Sequence, residues 1–86
     1  MAGRKGVRYF LNKKRRSMVK EAETMLSNAA AIVERACDQE EDCIDNMPES
    51  LQDTERYEQM ENAASNLSEA LEHIESAIEL LGEAVR

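Results

Sequence analysis

At 86 residues and 9.7 kDa, the chain has room for one domain and no second core. A formal charge of −7, 3% aromatic residues, no Trp, three Gly and one Pro leave little from which to build a β-sandwich, a small barrel or a Gly-rich nucleotide-binding fold. What remains, 42% hydrophobic and 34% charged and rich in Ala, Glu, Leu, Ser and Met, is the composition of long helices that pair side by side.

The chain opens on a basic segment, read as an arm over residues 1–11 that leads into the first helix. Residues 1–20 carry Arg4, Lys5, Arg8, Lys13, Lys14, Arg15, Arg16 and Lys20 and no acid. Val7, Tyr9, Phe10 and Leu11 are cut off at once by Asn12 and four cations, too soon for the apolar stretch of a secretory signal. Nor does any stretch approach the roughly 18 apolar residues of a membrane span. Cations interleaved with rings can neutralise phosphates while the rings stack on bases or enter a bilayer surface. The same segment can equally be a solvated extension that folds back on the chain's own acids.

A helix is predicted over 12–45. Met18, Ala22, Met25, Ala29, Ile32, Ala36, Gln39 and Cys43 alternate in steps of three and four, the spacing of a heptad seam. Val19, Leu26 and Val33 add an apolar edge beside it. After Ala36 the pattern loosens, with Cys37 and Ile44 continuing a stripe that has drifted. Cys37 and Cys43 are six residues apart, about 240° around a helix, so they cannot bridge each other within it. Both are expected as free, small apolar residues.

Pro48 is the only proline, and it disfavours helix at Met47, which places a turn over 46–53. Asp53 or Thr54 can cap a second helix over 54–86, with Glu55 and Glu58 favouring its positive end. There Tyr57, Met60, Ala64, Leu67, Leu71, Ile74, Ile78, Leu81 and Val85 repeat without a miss. Ala63, Ala70, Ala77 and Ala84 form a small-residue ridge along one edge of this stripe, while Leu80 and Gly82 lie off the pattern. The fold class is therefore all-α: two helices, each about 50 Å long at 1.5 Å per residue, joined by a short turn as an antiparallel coiled-coil hairpin. A register in which facing residue numbers sum to 103 centres on the turn; a slip of one heptad, to 96, is its rival.

Two helices leave part of this stripe uncovered. The hairpin is expected to form a homodimer, a four-helix bundle whose interface is Val19, Leu26, Val33, Ala63, Ala70, Ala77 and Ala84. Leu26→Asp or Ala70→Asp is then expected to dissociate it.

Candidate chemistry is sparse. His73 is the only histidine and has no second ligand beside it in the pattern. The run Asp38-Gln39-Glu40-Glu41-Asp42 lacks the glycine-centred pattern of a Ca²⁺ loop. No enzyme, cofactor or metal is expected. The charge itself is the signal, because residues 38–61 hold ten acids against Arg56 alone. Glu40, Glu41, Asp42, Asp45, Glu49, Asp53, Glu55 and Glu58 make an acidic face able to enter a basic groove that ordinarily holds nucleic acid.

The stretch from Asn46-Met47-Pro48-Glu49-Ser50-Leu51-Gln52 through Glu55-Arg56-Tyr57 to Ala63, with the Leu-Ser-Glu-Ala-Leu-Glu heptad after it, resembles a family of small uncharacterised helical proteins of gut Firmicutes and their phages. The resemblance covers the C-terminal half and implies a bacterial or mobile-element origin, hence a cytoplasmic protein of the host cell. Short acidic proteins of such elements include inhibitors of host defence, anti-CRISPR proteins among them. The function expected is a non-enzymatic interaction protein that inhibits a nucleic-acid-handling complex through charged helical faces. The alternative is a small nucleic-acid-binding protein that uses its basic arm, with the hairpin serving for dimerisation.

Overall fold

Thirty helical residues folded back along a helix of forty-four build the whole molecule. The computed structural model describes the backbone of residues 2–85 and the side chains of residues 12–85. Helix α1 spans Ala2–Asp45, a 3₁₀ turn covers Glu49–Leu51, and α2 spans Glu55–Ala84. Among the described residues there is no strand, and α1 packs only on α2. The result is a rod of 75 × 15 × 15 Å. Its radius of gyration is 20.7 Å, against about 12 Å for a compact domain of this length.

The turn forms as its residues dictate. Asn46 ends α1 by donating from both its backbone N and its side-chain Nδ2 to the Asp42 carbonyl, at 3.0 and 2.8 Å. Pro48 then takes φ −59° and ψ 144°, outside the helical region. Thr54 is the N-cap of α2: its Oγ1 accepts from the Tyr57 backbone N at 3.3 Å and donates to the Leu51 carbonyl at 2.7 Å. Glu55 and Glu58 occupy the positive first turn of α2. At the other end, α1 begins at Ala2 rather than at 12. The backbone of the basic segment is thus continuous with the helix, and no proline lies there to break it.

Along α2 the predicted seam holds, with Tyr57, Met60, Leu67, Leu71, Ile74, Ile78, Leu81 and Val85 half-buried and Ala64 buried. Helix α1 is turned by one position from expectation. Its covered residues are Val19, Glu23, Leu26, Ala30, Val33, Cys37, Glu40 and Ile44, each one later than a predicted seam residue, together with Ala22 and Ala29 of the predicted seam itself. Met18, Met25 and Ile32 are instead 59%, 65% and 58% exposed, and Ala36, Gln39 and Cys43 are exposed as well. Both stripes have heptad spacing, but only the observed one continues past residue 36 on apolar Cys37 and Ile44.

The most buried contact between the two helices is made by small side chains. Cys37 and Ala64 are the only buried hydrophobic residues among those described, and Cys37 Sγ lies 3.7 Å from the Ala64 carbonyl oxygen. Near the open end Glu23 lies beside Gly82. These two contacts sum to 101 and 105, which brackets the expected 103 and excludes the slipped register of 96. A Cβ at Gly82 would meet only Glu23 Oε2, at an ordinary 3.8 Å. Gly82→Ala is therefore expected to raise stability by about 0.5–1 kcal/mol through lower backbone entropy in the unfolded chain. Urea denaturation checks this, and a loss of stability would show that the glycine is needed for close approach.

Candidate functional site

Three surfaces result from this geometry, and two of them are charged. Since α2 ends near Val19, the part of α1 before it projects as a single helix with no α2 alongside, about 25 Å long at 1.5 Å per residue. Lys13, Lys14, Arg15, Arg16 and Lys20 are all exposed on or beside this spur. Asn12 Oδ1 accepts from Arg15 Nη2 at 2.8 Å, and among the described residues no acid forms an ion pair with these cations. A shallow groove of about 540 Å³ runs between Lys13, Arg16, Ser17 and Lys20. The side chains of Arg4, Lys5 and Arg8 lie outside the described residues.

The opposite end and the outer side of α2 are negative. Glu41, Asp42, Asp45, Glu49, Asp53, Glu55 and Glu58 are exposed, while Glu40 is half-buried in the seam. Farther along α2, Glu69, Glu72, Glu75, Glu79 and Glu83 are exposed too. From Glu55 to Glu83 the carboxylates extend over about 40 Å of helix, with Arg56 and His73 the only basic residues of α2. His73 Nε2 lies 3.7 Å from Glu69 Oε1; both side chains are more than two-thirds exposed, so the pair contributes at most about 1 kcal/mol. Among the described residues no three of His, Cys, Asp and Glu come together as around a metal ion. An apolar notch of about 660 Å³ at the turn is lined by Cys43, Met47, Leu51 and Met60 with Asp42 and Arg56 at its rim.

The third surface is apolar, and it differs from the interface expected. Val19, Leu26 and Val33 are half-buried in the seam with α2. Ala63 and Ala77 are half-buried, whereas Ala70 and Ala84 are exposed. Among the described residues, the large apolar side chains left exposed on α1 are Met18, Met25 and Ile32. The loosening of the pattern after Ala36 was the one signal in the sequence that could have identified them.

These features define a class: an elongated helical hairpin with cations on the α1 spur and carboxylates at the turn and along α2, and among the described residues no helix long and apolar enough to cross a membrane. Comparisons with protein-family models, curated proteins and solved structures each give no match.

Proposed function

We propose that this chain is a non-enzymatic interaction protein of a phage or mobile element, which inhibits a nucleic-acid-handling host complex in the manner of an anti-CRISPR protein and acts as a pair of hairpins. The observation that carries the reading is the unbroken exposure of carboxylates along α2, from Glu55 to Glu83. Carboxylates on a rigid helix lie at fixed spacing, and a cleft built to take phosphates attracts such a line by the same field. The resemblance of the turn to small phage proteins supports the same reading. A second reading rests on the spur: a lone basic helix with exposed Lys13, Lys14 and Arg16 can bind nucleic acid through phosphate contacts.

Displacement separates the two. Nucleic-acid-binding complexes from a bacterial lysate are loaded on an immobilised duplex, and the full chain is expected to release one of them. The double variant Glu72→Lys with Glu79→Lys is expected to release none. Equal release by that variant, or none by the natural chain, rejects the inhibitor reading. Direct binding of the chain to duplex or single strands, falling steeply between about 50 and 200 mM salt and lost on deleting residues 1–16, establishes the second reading instead.

A further inference from the structure

We propose that a second copy of this chain docks on the face formed by Met18, Met25 and Ile32 of α1 and Ala70, Ala77 and Ala84 of α2, with the two hairpins running in opposite directions. The inference rests on the pairing of hairpins proposed above and adds the face and the arrangement.

The face is continuous by helix geometry. Met18, Met25 and Ile32 each precede a seam residue, Val19, Leu26 or Val33; Ala70, Ala77 and Ala84 likewise precede Leu71, Ile78 and Val85. One step back in sequence turns a right-handed helix by 100°, and in an antiparallel pair that step moves both helices toward the same side. Large residues on one helix therefore stand beside small ones on the other. With a two-fold axis beside Met25, α1 overlays its counterpart over residues 5–45, about 60 Å, and α2 overlays its counterpart over residues 72–84, about 20 Å; at about 7.5 Å of width per helix this covers about 600 Å² per copy, at the low end of stable interfaces. The accessible surface of 7082 Å² compares with about 5,100 Å² for a compact protein of this mass, an excess that a second copy would reduce.

Charge selects the direction. Met25, the middle of the exposed stripe, lies within two residues of the midpoint of α1. A two-fold axis beside Met25 sets Met18 over Ile32 of the other copy and overlays α1 along nearly its full length. Residues 4–14, with Arg4, Lys5, Arg8, Lys13 and Lys14, then fall over residues 36–46 of the other copy, with Asp38, Glu40, Glu41, Asp42 and Asp45. A parallel arrangement would instead place eight cations against eight and acids against acids. Segments of opposite charge in the sequence thus lie over one another.

Sedimentation equilibrium of the full chain is expected to give twice 9.7 kDa, with a dissociation constant several-fold weaker at about 0.5 M than at about 0.05 M salt. Met25→Asp, at a residue 65% exposed in the single hairpin, is expected to give the single-chain mass with helicity unchanged by circular dichroism. A single-chain mass for the natural protein, or a dimer that survives Met25→Asp, overturns the proposal and the pairing on this face. Direction is read with a short bismaleimide on variants carrying one exposed cysteine in a Cys43→Ser background, where Cys37 stays buried. Met25→Cys is expected to link to itself. Met18→Cys and Ile32→Cys, about 21 Å from their own counterparts, are expected to link only when mixed. Self-linking at all three positions would show parallel hairpins and overturn the arrangement while leaving the pairing intact; so would a dimer affinity indifferent to salt. A heavier complex with another protein, formed only when Met25 is intact, would assign the face to a different occupant and overturn the proposal.

Discussion

Leu26→Asp is expected to melt the hairpin, while Met25→Asp, one residue earlier, leaves it folded. Leu26 lies half-buried against α2, and Met25 is 65% exposed. A carboxylate in the seam must either lose its hydration beside apolar side chains or force the helices apart. The cost is about 3 kcal/mol or more. A domain of this size has a total stability of about 4–13 kcal/mol, and this one buries only Cys37 and Ala64 fully among its described hydrophobic residues. Leu26→Asp therefore removes a large share of what holds α1 to α2. Neither helix is kept folded by propensity alone, so helicity falls with packing. Urea denaturation followed by circular dichroism, at a dilution where the natural chain is single, separates this effect from loss of a dimer. Unfolding midpoints for Leu26→Asp and Met25→Asp that move together would show that α1 is not turned as described.

The contrast between these neighbours marks how far the sequence could be read. The helices, the turn at Pro48, the Thr54 cap and the antiparallel direction each follow from a residue with one strong preference. The seam of α2 was legible because Ala63, Ala70, Ala77 and Ala84 are too small to compete with the Leu and Ile beside them. In α1 no such asymmetry exists: Met18, Met25 and Ile32 match Val19, Leu26 and Val33 in hydrophobicity and in spacing. Periodicity fixes the repeat but not the phase when two stripes lie one residue apart. Packing decides it, since Cys37 and Ile44 prolong only the second stripe, and Cys37 is buried against Ala64. The charged surfaces were legible because sorting of sign is a property of the sequence. The half-burial of Val19, Leu26 and Val33 against α2 was not, because it depended on that phase. The start of α1 at Ala2 was also missed, the run of cations having been read as an arm, though no proline lies there to begin the helix later.

The same one-position turn separates the two thiols and gives the second large effect. Cys37 faces α2 and is buried, whereas Cys43 is exposed, so only the first meets the expectation that both pack as small apolar residues. Burial pushes the Cys37 thiol above its ordinary range, and the neighbouring Glu41 and Asp38 carboxylates push it the same way. Its Sγ also lies 3.7 Å from Glu41 Oε1 as well as from the Ala64 carbonyl, contacts that suit a thiol donor and not a thiolate. Thiol reagents attack the thiolate, so Cys37 is protected both by access and by ionisation. In the native chain Cys43 is expected to react at the rate of a free thiol and Cys37 on the order of tenfold or more slowly, with both reacting alike in urea. Because the folded state holds Cys37 protonated, it adds stability below the unfolded thiol pKa of about 8.5, and that contribution is lost as pH rises through the higher folded value. The natural chain should therefore lose stability on the alkaline side more steeply than Cys37→Ala does. Equal reactivity of the two thiols in the native chain, or alkaline unfolding unchanged by Cys37→Ala, would place Cys37 outside the contact with Ala64 and leave the phase of α1 without its anchor.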